Sequence, residues 1–282
     1  MSGAPDDDKR LLAMLREADL LRYTVALYVP ADKRAALVSL WLFQAEVERI
    51  RDIVSEPLPG EIRLQWWRDV INRMRDGEAQ QSPLAKALLA TIDAHALQRE
   101  QFDNYLESMT FDLYDDPMPS IAQFDGFMGE TQSVFFQMAG LILHGSPLSS
   151  GDAGGHGGVA LGVARSLLNL EKHRLRSQRY VPAEMLNGEG VDHDQWQAKG
   201  VTPEKQAVVR AFTEFGAGHL NQFETAIAQL PGATRPAFLP VAVCQGVFAM
   251  ARKNPAKALS DGLDYGPLRT QWALLRAATR KS

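Results

Sequence analysis

Cysteine is almost missing from this chain: Cys244 is the single one in 282 residues. That excludes an intrachain disulfide framework and a structural zinc site built on several thiolates, and it points to a reducing compartment. Long apolar runs are missing as well. The two most apolar stretches, residues 135–143 and 237–251, are short or interrupted by Gln137, Pro240 and Gln245, whereas a bilayer span needs about 20 apolar residues. The opening run, Met1-Ser-Gly-Ala-Pro-Asp-Asp-Asp-Lys-Arg10, is acidic and has no apolar core, so no export signal is expected. The expected location is cytoplasmic, with contact at the inner membrane surface peripheral and not spanning.

An excess of one charge sign is also lacking. Thirty basic residues stand against 34 acidic ones, a net charge of -4, so no global attraction to nucleic acid is expected, and no helix-turn-helix, zinc-finger or aromatic-basic pattern appears. The glycine-rich run from Ser149 to Gly158 has neither dinucleotide nor P-loop spacing and no Gly-Lys-Ser/Thr ending. There is no Gly-x-Ser-x-Gly nucleophile elbow. The six histidines, among them His95, His144, His156, His193 and His219, form no His-x-x-x-His pair and have no close Glu at ligand spacing, which leaves a histidine metal site unsupported.

What is present is helical periodicity. Segments of 11 to 20 residues with apolar positions at i, i+3 and i+4 recur throughout, and alternating β-type runs are nearly absent. The fold class is therefore all-α. Helices are expected over residues 9–29, 31–54, 60–76, 83–95, 98–113, 120–143, 157–175, 203–230, 237–254 and 267–279. Residues 1–8 are expected to be disordered, and 147–157 to form a Gly-rich loop within one domain spanning 1–282, since helical patterns of similar character flank it.

The segment Ala31–Asp69 carries the most information. Glu48 and Asp52 stand four residues apart, the spacing at which one helix face presents both carboxylates to a divalent cation or a cationic partner. Projected at about 100° per residue, Phe43, Val47, Ile50 and Val54 form one stripe. Leu37, Trp41, Glu48 and Asp52 lie nearly opposite. Apolar groups on both sides imply a largely buried helix. The second stripe turns from apolar to acidic along its length, as in a greasy pocket with a charged mouth. The plainer alternative is that this end emerges into water, or that Arg49 and Arg51 neutralise the acids.

The run from Pro30-Ala-Asp-Lys-Arg34 through Leu40-Trp-Leu-Phe43 to Glu48-Arg-Ile-Arg-Asp52 resembles the first acidic motif of the squalene/phytoene synthases. Similarity continues at Gly162-Val-Ala-Arg-Ser-Leu-Leu-Asn169, Arg179-Tyr-Val-Pro182 and Phe238-Leu-Pro240. It implies an isoprenoid synthase-like helical domain around a central cavity, and prenyl diphosphate or a lipid as ligand. It also implies Mg²⁺ held by Glu48 and Asp52 as the catalytic pair if the chain is active. Tyr28, Arg34, Trp41, Gln44, Asn169, Lys172, His173, Arg179 and Tyr180 become substrate-binding candidates on the same ground.

The likeness is incomplete at the second acidic motif. Counting from Asn169, His173 and Ser177 stand where the family carries aspartates, inside Lys172-His-Arg-Leu-Arg-Ser-Gln-Arg179. Such a basic run would bind diphosphate without metal, form internal ion pairs, or make a solvated face. Gly60-Glu-Ile-Arg-Leu-Gln-Trp-Trp-Arg-Asp69 is similar to a branch that includes a mitochondrial complex I assembly factor. Glu61, Gln65 and Asp69 form a polar ridge there, with one of Trp66 and Trp67 expected in the core and the other half-exposed. Two functions follow as expectations: a binding or assembly factor that keeps the cavity and has a protein partner, or a prenyl transferase with a modified second site.

Overall fold

Proline opens several helices of this protein, at positions where its fixed φ suits the first turn and its missing N–H leaves nothing unsatisfied. Pro57, Pro83, Pro203 and Pro255 all do so. The computed structural model describes residues 5–114, 116–178 and 180–279, and 78% of it is helical with no strand among the described residues. In chain order come α1 (Pro5–Ala18), α2 (Leu20–Ala26), α3 (Ala31–Glu48), α4 (Ile50–Ile53), α5 (Pro57–Ile71), α6 (Asp76–Ala79) and α7 (Pro83–His95). Next are α8 (Arg99–Thr110), α9 (Ile121–Met128), α10 (Val134–His144), α11 (Asp152–Leu168), α12 (Leu170–Leu175), α13 (Ala183–Gly188) and α14 (His193–Gln197). The last are α15 (Pro203–Ile227), α16 (Arg235–Phe238), α17 (Cys244–Lys253), α18 (Pro255–Ser260) and α19 (Pro267–Thr279).

The all-α expectation holds, and several long helices prove to be divided. Residues 9–29 break at Asp19, which leaves helical geometry and caps α2 by accepting a bond from the Arg22 N–H at 2.8 Å. Residues 31–54 break at Arg49, and residues 120–143 at a π-helical turn over Gly129–Ser133. Of the stretch expected to be disordered, residues 1–4 lie outside the described residues. Pro5–Asp8 instead open α1, where Asp6, Asp7 and Asp8 complement the positive end of the helix dipole.

The glycine-rich loop is shorter than its composition suggests. α11 begins at Asp152, so Gly154, Gly155, Gly157 and Gly158 are helical. Glycine serves close packing here: a Cβ on Gly158 would lie 2.1 Å from Ser133 Oγ, and one on Gly162 2.0 Å from Met128 Sδ. Helices α13, α14 and α18 were not expected at all, being too short for periodicity to register. Asp192 and Gln195 form a capping box that fixes α14.

By proximity the chain divides into two compact units. The first comprises the chain through Tyr114, Val134–Ser149 and Pro231–Ala237; the second comprises the stretch up to Ser133, Ser150–Leu230 and everything from Phe238. In the first unit Phe43 is fully buried and meets the rings of Trp67 at 5.0 Å, Phe102 at 5.6 Å and Tyr105 at 5.8 Å, in tilted or edge-on contacts. The apolar positions of both stripes are buried, as expected: Leu37, Trp41, Phe43 and Val47 on α3 and Ile50 on α4 all belong to the core. In the second unit α11 packs along α15, its small residues admitting close approach, and Phe124 meets Phe212 edge-on at 5.4 Å.

Candidate functional site

The acidic end of α3 does not emerge into water at Glu48. Arg22, on α2, donates from Nη1 to Glu48 Oε2 and from Nη2 to Oε1, both at 2.9 Å, and Nη1 also donates to Asp19 Oδ2 at 2.9 Å. The Arg22 side chain is 6% exposed and both carboxylates 17%. Burial pulls the guanidinium down, but the charges of Glu48 and Asp19 outweigh it and hold Arg22 above its ordinary value. A cation from α2, distant in sequence, thus neutralises Glu48. Asp52 lies beyond the break at Arg49, on α4, and is exposed.

The other candidates of the first unit lie on α3 and in the turn before it. Arg34 donates from Nε to Ala26 O and from Nη2 to Val29 O, both at 3.0 Å, so it satisfies carbonyls left open at the end of α2. Trp41 and Gln44 are buried, and the Gln44 carbonyl accepts a bond from Tyr105 Oη at 3.3 Å. Tyr28 is half-buried in the turn after α2. Trp67 joins the core, whereas Trp66 is half-buried and donates from Nε1 to Glu78 Oε2 at 2.8 Å. The polar ridge beside them is an ion-pair network: Gln65 donates to Asp69 at 2.6 Å, and Arg75 bridges Asp69 at 2.8 Å and Glu78 at 3.0 Å.

In the second unit, Asn169 stands at the joint between α11 and α12 and donates from Nδ2 to Arg165 O at 2.9 Å. α12 ends at Leu175, and Ser177 follows with φ of 59°, the left-handed geometry of a helix stop. His173 and Ser177 therefore share no helix face. His173 lies edge-on to Tyr180 with centroids 4.7 Å apart, and Lys172 is exposed. Arg179 lies outside the described residues. Arg174 was expected to bind diphosphate, pair with acids or face solvent. It donates to the carbonyls of Trp196 at 2.9 Å, Leu259 at 2.8 Å and Ala198 at 2.6 Å. Burial pulls its guanidinium down, with Glu171 opposing.

The resemblance implies a magnesium arrangement with Glu48 and Asp52 on one helix and a second acid pair on another. One acid of the first motif is already shared with a buried guanidinium, and a histidine and a post-helical serine replace the second pair. Among the described residues no group of three or more His, Cys, Asp or Glu side chains is placed to hold a metal ion.

Sequence spacing also missed a cluster formed between distant positions. His156 on α11 and His219 on α15, 63 residues apart, bring their Nδ1 atoms to 3.1 Å, and His219 Nε2 lies 3.8 Å from Asp125 Oδ1 on α9. Burial lowers the His219 value, and His156 lowers it further while Asp125 opposes; burial also raises Asp125.

The family model for squalene/phytoene synthase matches residues 15–276, through both compact units. This chain belongs to the squalene/phytoene synthase family. Among relatives of this family member is bovine NADH dehydrogenase (ubiquinone) complex I, assembly factor 6, from Bos taurus. It is 25% identical over 237 residues, which are 84% of this chain and 71% of the relative. Squalene synthase HpnC from Alicyclobacillus acidocaldarius is similar in structure with a TM-score of 0.77 and 17% identity, over 89% of this chain and 95% of its own. A dehydrosqualene synthase solved with a ligand gives a TM-score of 0.78 at 12% identity, over 96% and 95%. These likenesses establish the all-α isoprenoid synthase fold.

Proposed function

We propose that this squalene/phytoene synthase-family protein is an assembly factor that binds a protein partner in the construction of a respiratory complex and does not catalyse metal-dependent prenyl condensation. The observation that carries the reading is the Arg22 fork on Glu48. A carboxylate that accepts two charge-assisted hydrogen bonds from a buried arginine has little capacity left for a divalent cation, and a second acid pair that would compensate is absent from the His173–Ser177 segment. The likeness to complex I assembly factor 6 supports the same role. A prenyl-sized cavity, retained to hold an isoprenoid or lipid, belongs to this reading, as does a cytoplasmic protein that reaches the inner membrane surface peripherally. Mg²⁺ is not part of it.

Calorimetric titration with farnesyl and geranylgeranyl diphosphate, with and without Mg²⁺, together with a pyrophosphate-release assay, tests the proposal. Binding that ignores Mg²⁺, or no binding, with no pyrophosphate released, is expected. Mg²⁺-dependent binding with pyrophosphate release would make the chain a prenyl transferase using Glu48 and Asp52.

A further inference from the structure

α19 has a face that nothing in the fold covers. Leu268, Trp272 and Leu275 are 79%, 61% and 43% exposed. At i, i+4 and i+7 they fall within about 60° of one another around the helix axis. The opposite side is anchored: Leu274 is fully buried, and the helix rests on the 3-10 turn Leu239–Val243 of its own unit. The apolar stripe is therefore held outward by a fixed support.

Charge selects its occupant. The sequence of α19, Pro-Leu-Arg-Thr-Gln-Trp-Ala-Leu-Leu-Arg-Ala-Ala-Thr, holds two arginines and no acid. Arg269 and Arg276, both exposed and seven residues apart, line one side of the stripe. Arg280 and Lys281 follow in sequence, and the nearest acid, Asp264, precedes the helix. An exposed tryptophan between two leucines, flanked by arginines alone, is the composition that settles at the boundary of headgroups and acyl chains. The indole suits the interface, the leucines enter the apolar edge, and the guanidiniums meet lipid phosphates.

We infer that α19 is an interfacial helix that docks this protein on anionic phospholipid surfaces through Leu268, Trp272 and Leu275, with Arg269 and Arg276 on the headgroups. This gives the peripheral placement proposed above its lipid-facing element and rests on that placement. It is independent of whether the chain turns over prenyl substrates.

The test is co-sedimentation of the full chain with vesicles of phosphatidylcholine alone and of phosphatidylcholine with phosphatidylglycerol at three to one, without prenyl diphosphate or protein partner. Salt-sensitive binding to the anionic vesicles is expected. The triple change Leu268→Ser, Trp272→Ser and Leu275→Ser should weaken it at least about tenfold, with an unchanged melting curve, since these side chains are exposed. Arg269→Gln with Arg276→Gln should weaken it about 25-fold, roughly fivefold for each charge near an anionic surface. Failure to bind, or binding that the triple variant retains, would overturn the inference. So would a self-association that the triple variant abolishes, because a second copy would then be the occupant. Each of these results leaves the proposed function intact, since none of them measures partner binding or prenyl turnover.

Discussion

Arg22 and Glu48, 26 residues apart in sequence, meet through two parallel hydrogen bonds of 2.9 Å in the interior of the first unit. The pair joins α2 to the end of α3, and Asp19 completes it as both helix cap and second counter-charge. Glu48, the position at which the resemblance implies a metal ligand, is engaged by this pair.

Removing one partner of such a pair strands the other charge. Arg22→Met is expected to lower stability by about 3–5 kcal/mol, and adding Glu48→Gln should recover part of that loss. Urea denaturation of the two variants against the parent checks both statements. A loss below about 1 kcal/mol for Arg22→Met would mean that the fork holds nothing together.

Arg174 closes three carbonyls contributed by α14, the loop after it and α18. Arg174→Ala should cost about 2–4 kcal/mol, because hydrogen bonds from a charged donor are lost and the carbonyls of the buried Trp196 and Leu259 lose that partner, while Ala198 O keeps Lys205. Arg174→Lys should restore less than half, since an ammonium lacks the planar fork. Equal stability of the lysine variant and the parent, by thermal melting, would contradict the role.

Two glycines of α11 separate rigid from yielding contacts. A Cβ at Gly158 meets the Ser133 backbone N at 2.8 Å as well as Oγ, whereas at Gly162 it meets the side chain of Met128. Gly158→Ala should therefore destabilise by about 1–3 kcal/mol, and Gly162→Ala by less, because methionine can repack. A reversed order in denaturation midpoints would refute this account.

His219 and Asp125 give stability a pH dependence. His219 is lowered from 6.5 by burial, so in the folded state it resists the proton that the unfolded chain accepts. More protons are then bound in the unfolded state, and stability falls as pH drops through about 6.5. Asp125, raised above 3.8 by burial, acts in the opposite direction at lower pH: its ionisation costs stability as pH rises through its own range. His219→Gln should flatten the fall below about pH 6.5. Urea midpoints measured at each pH for parent and variant would show parallel curves if His219 were uninvolved.

Local signals determined a large part of this protein. The all-α class, the bounds of α7 and α19, the two buried stripes of α3 and the division between Trp66 and Trp67 follow from periodicity, proline at helix starts and side-chain size. These act over a turn or two of chain, which a sequence displays directly. Only tertiary structure decided which charges meet. Arg22 reaches Glu48 across 26 positions, His156 reaches His219 across 63, and Arg174 caps Leu259 across 85. Sequence proximity offered only Arg49 and Arg51 as partners for the acids and gave no sign of Arg22. The glycine-rich run likewise reads as a loop until Ser133 and Met128 are seen against Gly158 and Gly162. Spacing along the chain specifies which residues share a helix face, whereas burial and ion pairing depend on what the fold brings against that face.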